Sequence, residues 1–118
     1  MNNFSSVLLL TNDEQSDLAE TLLKLGYIPL IRQNMITALR DIQRKFVATI
    51  ILDLKSTKID VLEFVINVRD IDQYIPVVIV DEPIEGKEVI INQQNIFFIS
   101  KAFDQIKKIL NMIYRKAF

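Results

Sequence analysis

The sequence of 118 residues contains neither cysteine nor histidine. Without cysteine, the chain can form no disulfide and has no thiolate nucleophile. Without histidine, it lacks the commonest general base and the commonest zinc ligand, which excludes Ser–His and Cys–His catalytic pairs. Carboxylates, hydroxyls and amines are therefore the side chains left to carry chemistry.

The chain also lacks a charge excess and a long apolar run. It has 14 basic and 15 acidic residues, a net charge of −1, so nothing indicates a nucleic-acid-binding surface. Its apolar runs are far shorter than the roughly 20 residues of a membrane span. The first residues carry no basic region and too short an apolar run for a signal peptide. We therefore expect a cytoplasmic protein that binds neither nucleic acid nor membrane.

Half of the residues are hydrophobic, and the length suits a single domain that spans residues 1–118. Short apolar runs alternate with segments of helical period. The predicted strands are residues 7–10, 27–31, 48–54, 75–80 and 96–99. The predicted helices are residues 13–26, 35–46, 60–70, 85–94 and 104–116. Pro29 indicates that the second strand lies at a sheet edge, because proline cannot donate a ladder hydrogen bond.

Most of these strands are continuous apolar runs, which is typical of strands buried on both faces. Alternation with helices predicts a parallel sheet covered on both sides. The fold class is α/β, a flavodoxin-like (βα)5 doubly wound parallel sheet with strand order 2-1-3-4-5. The apolar residues expected to face the sheet from the first three helices are Leu18, Leu22 and Leu25; Ile36, Leu39 and Ile42; and Val61, Leu62, Val65 and Val68.

Charged residues lie at or just beyond the carboxyl ends of four of the predicted strands. They are Asp13, Asp53, Asp81 and Lys101, for strands 1, 3, 4 and 5, and the functional crevice of such a sheet lies beyond the carboxyl ends of its strands. Clustered carboxylates need a cation or a proton to be tolerated. Two carboxylates can hold Mg²⁺, and one can attack phosphorus to give an aspartyl phosphate. The pattern therefore favours phosphoryl transfer.

The order and spacing of these residues resemble the receiver domain of two-component response regulators over nearly the whole chain. Asp53 stands at the phosphoacceptor position. "IDVLEFV", residues 59–65, resembles the family's Met-Asp-Gly-Leu-Glu stretch. "FFISKAF", residues 97–103, resembles its Lys-Pro-Phe segment, with Lys101 at the lysine position and Phe98 at that of the switch aromatic.

The resemblance implies a two-component phosphorelay module and not an enzyme, beyond self-phosphorylation from a phosphodonor. Asp53 would accept a phosphoryl group from a histidine kinase or a phosphotransfer protein, and Lys101 would pair with that group. Mg²⁺ would be held by Asp13, Asp53 and the backbone carbonyl of Lys55, with Asn12 as a further candidate. A downstream protein would bind the face formed by the fourth helix, the fifth strand and the fifth helix; a homodimer is left open.

The sequence departs from the family at several positions. Asp81 stands where the family has a serine or threonine that donates to the phosphoryl group. An ionised Asp81 cannot donate, and like charges about 4 Å apart repel by about 4 kcal/mol at an effective dielectric constant of about 20. Asp81 could instead pair with Lys101. The other departures are Thr11-Asn12-Asp13 for the acidic pair, Val61 for a glycine and Ala102 for a proline. They favour an alternative, a pseudo-receiver that binds proteins without phosphorylation.

Structural roles remain open for the same residues. Asp13, Asp53 and Asp81 could each cap a helix or make a turn, because aspartate favours both. For Phe98 the sequence favours a place in the core over a role as a switch. A flavin or small-ligand enzyme of this architecture is disfavoured. Its phosphate-binding loop would follow the first strand, where "TNDEQSD" has no glycine and three acids.

Overall fold

The computed structural model describes residues 6–13, 16–44, 46–81, 91–100 and 103–115. The strands are β1 (Val7–Leu10), β2 (Leu30–Arg32), β3 (Thr49–Asp53), β4 (Val77–Asp81), β5 (Ile91–Gln93) and β6 (Ile96–Ser100). The helices are α1 (Asp17–Lys24), α2 (Met35–Gln43), the single turn α3 (Leu54–Thr57), α4 (Val61–Ile71) and α5 (Phe103–Arg115). No helix among the described residues combines the length and apolarity that crossing a bilayer requires.

One sheet joins these strands in the order β2-β1-β3-β4-β6-β5. The pairs from β2 through to β6 are parallel, and β6 is the fifth predicted strand. The predicted order 2-1-3-4-5 and the α/β class are therefore confirmed. β2 lies at the edge, as Pro29 indicated, although it begins three residues later than predicted.

The predicted helix at residues 85–94 is wrong where the structure describes it. Ile91–Gln93 form β5, which pairs antiparallel with β6 at the sheet edge. Gln94 and Asn95 have φ angles of 55° and 61°, and two consecutive residues of positive φ are what a type I′ hairpin turn needs. The remainder of that prediction, residues 85–90, lies outside the described residues.

The core has two halves because successive strand residues point to opposite faces of the sheet. In β1, Val7 and Leu9 pack with α1 and α5, whereas Leu8 and Leu10 pack with α2 and α4. All four are fully buried. This alternation explains why β1 is apolar at every position. It also leaves the strand ends as the place where polar side chains can lie beside one another.

Two residues predicted to face the sheet are exposed: Ile36 is 71% exposed and Leu62 is 69% exposed. In α4 the buried residues are Phe64 and Val68. A helix turns by about 100° per residue, so Leu62 lies about 200° around the helix from Phe64. Apolar residues surround most of α4, and their spacing alone therefore did not select the buried face.

Arg69 in α4 links that helix to the hairpin formed by β5 and β6. It lies at the amino ends of β4 and β6, opposite the carboxyl ends of the parallel strands. Its Nη1 donates to the carbonyls of Asp72 and Ile75, at 3.2 and 2.9 Å, and its Nη2 donates to the carbonyl of Gln94 at 2.7 Å. Burial lowers the pKa of the Arg69 guanidinium, and the charge of Asp72 raises it in part. Arg69 also lines a cavity of about 600 Å³ with Tyr74 and Asn95.

Candidate functional site

The carboxyl ends of β1, β3, β4 and β6 meet at one edge of the sheet. Leu10 in β1 pairs with Leu52 in β3. The next residues along the two strands, Thr11 and Asp53, therefore lie side by side. Asp53 in turn pairs with Val80, and Asp81 pairs with Ser100. The register thus brings together the segments in which the sequence predicted Asp13, Asp53 and Asp81. Lys101 lies outside the described residues.

Asp53 is the last residue of β3 and only 5% exposed. It occupies the N-cap position of α3, but its side chain makes no capping hydrogen bond. Its main-chain carbonyl accepts a 2.8 Å bond from the Thr57 hydroxyl. The interpretation of Asp53 as a capping residue is therefore wrong, because the carboxylate points to a different partner.

That partner is Thr11, which is 1% exposed. Its hydroxyl donates to Asp53 Oδ2 at 2.8 Å, and its Oγ1 lies 3.0 Å from Ser56 Oγ. A threonine hydroxyl carries one proton. Since that proton goes to the carboxylate, the Ser56 hydroxyl donates to Thr11. The second carboxylate oxygen, Asp53 Oδ1, accepts no hydrogen bond from the residues that the structure describes.

The loop after β1 closes onto α3 through the same hydroxyls. The Asn12 main-chain N–H donates to Ser56 Oγ at 3.0 Å, and the Asp13 N–H donates to Thr11 Oγ1 at 3.1 Å. Asp13 is exposed and does not cap the first helix. Ser16 does so, because its hydroxyl accepts from the Leu18 N–H at 3.0 Å. The capping interpretation of Asp13 is wrong for that reason.

Asp81 ends β4 and is exposed to solvent. Solvent exposure screens charge, so its repulsion of a neighbouring anion is weaker than the sequence-based estimate. Its predicted pairing with Lys101 involves a residue outside the described part of the chain. The residues after Asp81, up to 90, lie outside it as well, so its role as a cap or turn residue stays a prediction.

The two phenylalanines of β6 point to opposite faces of the sheet. Phe97 is 3% exposed and belongs to the core half beneath α1 and α5. Phe98 is half-buried and packs against the other half, beside α2 and α4. Phe98 thus contributes to packing while it remains partly exposed.

The predicted magnesium ligands supply only oxygen atoms, which suits that ion. No group of three carboxylates placed to hold a metal ion is present among the described residues, and the predicted acidic ligands are the carboxylates of Asp13 and Asp53. Mg²⁺ is usually bound through one or two carboxylates and keeps several waters. The predicted oxygen ligands therefore fit magnesium. Their two carboxylates would bring less negative charge to the ion than three carboxylates would.

Comparison with known proteins gives matches in structure alone. No family model matches the chain, and no curated protein matches its sequence. The receiver domain of sensor histidine kinase PA1611 from Pseudomonas aeruginosa PAO1 superimposes with a TM-score of 0.71 and 17% identity, covering 93% of this chain and 97% of that one. The receiver domain of NtrC4 from Aquifex aeolicus gives 0.66 and 18%, covering 96% and 95%. The fold is that of a receiver domain.

Two details of these neighbours bear on function. The PA1611 receiver domain was crystallised with a magnesium ion coordinated in its active-site cleft. The lysine decarboxylase LdcF of Francisella novicida also matches, with a TM-score of 0.65 and 14% identity, over 98% of this chain but only 18% of that one. Since the receiver fold also occurs as part of a decarboxylase, function has to be argued from the site.

Sequence reasoning missed Thr11 and Ser56 as members of the site. Thr11 was noted only as a departure from an acidic pair, and Ser56 was not singled out. One feature of the sequence could have indicated Thr11. It directly follows the apolar run Val7–Leu10, which forms β1, and β1 is the neighbour of the strand that ends in Asp53. A hydroxyl at that position has a carboxylate within reach.

Proposed function

We propose that this chain is a two-component signalling module that accepts a phosphoryl group on Asp53. The observation that supports this most directly is the placement of Asp53. A carboxylate ends the central strand β3, one oxygen is held by Thr11, and the other is left without a described donor. The donor of the phosphoryl group would be a histidine kinase or a phosphotransfer protein, and the setting would be the cytoplasm.

In the proposed reaction, Asp53 Oδ1 attacks the phosphorus of a phosphohistidine. The new O–P bond forms as the N–P bond breaks, and the imidazole nitrogen keeps the electron pair of that bond. The product is an aspartyl phosphate. Lys101, at the end of the fifth predicted strand, would pair with the phosphoryl oxygens. Positioning and charge neutralisation carry the catalysis, as in phosphoryl transfer generally.

Asp13, Asp53 and the backbone carbonyl of Lys55 would hold Mg²⁺, with Asn12 as an additional candidate. A bound Mg²⁺ would neutralise charge on the phosphoryl oxygens. The main chain of Asp13 is already fixed, because its N–H donates to Thr11 Oγ1. The loop that carries the Asp13 carboxylate is therefore anchored next to the Asp53 carboxylate.

The output would be a change in protein binding at the face that the sequence assigned to the fourth helix, the fifth strand and the fifth helix; of that region the structure describes β5, β6 and α5. Phe98 in β6 is half-buried, so its ring can alter both its packing and its exposure. A partner protein or a second copy of the chain would bind there. The test of the function as a whole is phosphorylation of the intact protein by a small phosphodonor, with Asp53→Asn as the control.

A second function, a phosphorylation-independent interaction module, is favoured by one observation. Asp53 is 5% exposed, and one of its carboxylate oxygens already accepts a hydrogen bond from Thr11, so the carboxylate presents little surface to a phosphodonor. This alternative predicts that the Asp53→Asn protein binds its protein partner as tightly as the wild-type protein does. It also predicts that the wild-type protein gains no phosphoryl group from a donor that modifies receiver domains.

A further inference from the structure

The Thr11 hydroxyl is the last donor in a chain of hydrogen bonds that ends on the Asp53 carboxylate. The chain begins at the Asn12 N–H, passes through Ser56 Oγ and Thr11 Oγ1, and ends at Asp53 Oδ2, over distances of 3.0, 3.0 and 2.8 Å. Hydrogen bonds in series polarise and strengthen one another. The final donor is therefore well suited to hold an anionic oxygen.

The geometry points to Thr11 as a positioning residue for phosphoryl transfer at Asp53, an inference that rests on the proposed function. Its hydroxyl selects Oδ2 as the oxygen that stays in place and leaves Oδ1 as the attacking atom. Holding the reacting group in one orientation is a large catalytic term, because misplacement of about 1 Å can cost about 100-fold in rate.

The Thr11 hydroxyl remains useful throughout the reaction. When Oδ1 attacks phosphorus, Oδ2 becomes the carbonyl oxygen of the aspartyl phosphate, which still accepts a hydrogen bond. The same donor thus serves the carboxylate, the transition state and the product. A second carboxylate at position 11 would repel Oδ2 unless a cation intervened. Threonine therefore provides orientation at this position without metal.

Thr11 is itself held rigidly. Its N–H donates to the Arg32 carbonyl at 2.9 Å, and its Oγ1 accepts from the Asp13 N–H and from Ser56. Both acceptor positions of the hydroxyl are filled, so its single proton is directed at Asp53. The side chain is 1% exposed, and water does not compete for this bond.

The test compares wild-type protein with Thr11→Val, which removes the hydroxyl, and Thr11→Ser, which keeps it. Each is phosphorylated with phosphoramidate over a range of concentrations, and intact mass gives the rate. We expect Thr11→Val to lower the maximal rate roughly 10- to 100-fold, because the Asp53 carboxylate loses its fixed orientation. The half-saturating donor concentration should stay unchanged, and Thr11→Ser should recover most of the rate.

Two further variants distinguish the loss of the positioning role from a general loss of folding. Ser56→Ala removes the hydroxyl that directs Thr11 and should give a smaller loss. Thr37→Val removes a hydroxyl that bonds Asn34 at the start of α2 and should leave the rate unchanged. A Thr11→Val protein as fast as wild type would overturn the positioning role while the proposed function stands. If wild type itself gains no phosphoryl group, the proposed function fails, and the positioning role fails with it.

Discussion

The Thr11 hydroxyl donates a 2.8 Å hydrogen bond to Asp53 Oδ2 where β1 and β3 end side by side. This contact joins the residue that departs from the receiver pattern to the residue that matches it. A family pattern alone would treat Thr11 as a lost acidic ligand. We propose instead that Thr11 orients the carboxylate that the proposed function needs.

Asp81→Ser should speed phosphorylation of Asp53 by at least about fivefold. The substitution removes a negative charge beside the incoming phosphoryl group, and unit charges about 4 Å apart interact by about 1 kcal/mol in water, the limit suited to an exposed residue. Serine also adds a hydroxyl donor. The control is Asp70→Ser, which removes an equal charge from the exposed surface of α4. Equal rates for Asp81→Ser and wild type would show that Asp81 does not oppose the reaction.

Arg32→Met should lower the free energy of unfolding by about 2–3 kcal/mol, because it leaves the largely buried Asp41 carboxylate without its partner. Arg32 Nε lies 2.6 Å from Asp41 Oδ2, and the Asp41 side chain is 11% exposed. Lys24→Met is the matched control, since its 3.7 Å pair with Glu20 is about two-thirds exposed and should contribute less than about 0.5 kcal/mol. Urea unfolding of the two variants would measure the difference; equal losses would contradict the assignment.

The free energy of unfolding should fall in alkaline solution, because the Tyr27 hydroxyl ionises there. Burial raises the pKa of the Tyr27 hydroxyl above its ordinary value of 10.0, so the folded state favours the neutral phenol. This contribution is present below a pH of about 10 and is lost as the pH rises through the raised folded-state pKa. Tyr27→Phe keeps the ring 5.6 Å from that of Tyr114 and removes the titrating group.

The measurement for Tyr27 is the urea midpoint between about pH 8 and about pH 11. Tyr27→Phe should lose less stability than wild type over the alkaline part of that range. Tyr74→Phe is the control, because Tyr74 is 75% exposed and its removal should leave the wild-type profile unchanged. A Tyr27→Phe profile parallel to that of wild type would show that Tyr27 does not contribute.

The sheet could be predicted from the sequence because burial on both faces leaves a strong signal. Val7–Leu10 is apolar at every position since Val7 and Leu9 meet one helix layer while Leu8 and Leu10 meet the other. The helix faces were less predictable. In α4 the apolar residues are too numerous for spacing to distinguish the exposed Leu62 from the buried Phe64.

The hairpin could not be predicted, because its turn has weak sequence signals. Gln94 and Asn95 both adopt positive φ, and glycine, the usual residue for such a turn, is absent from both positions. The site was predicted in part. Asp53 follows from its place after an apolar strand, whereas the bond from Thr11 to Asp53 depends on the parallel register of β1 and β3, which the sequence does not display.

The most direct test of the account is the intact mass of the protein after incubation with Mg²⁺ and phosphoramidate, beside an Asp53→Asn control. We expect wild type to gain one phosphoryl group and the control to gain none. The folded state of both proteins is checked by circular dichroism before the reaction. A folded wild-type protein of unchanged mass would contradict phosphoryl acceptance at Asp53 and would favour the interaction module that works without it.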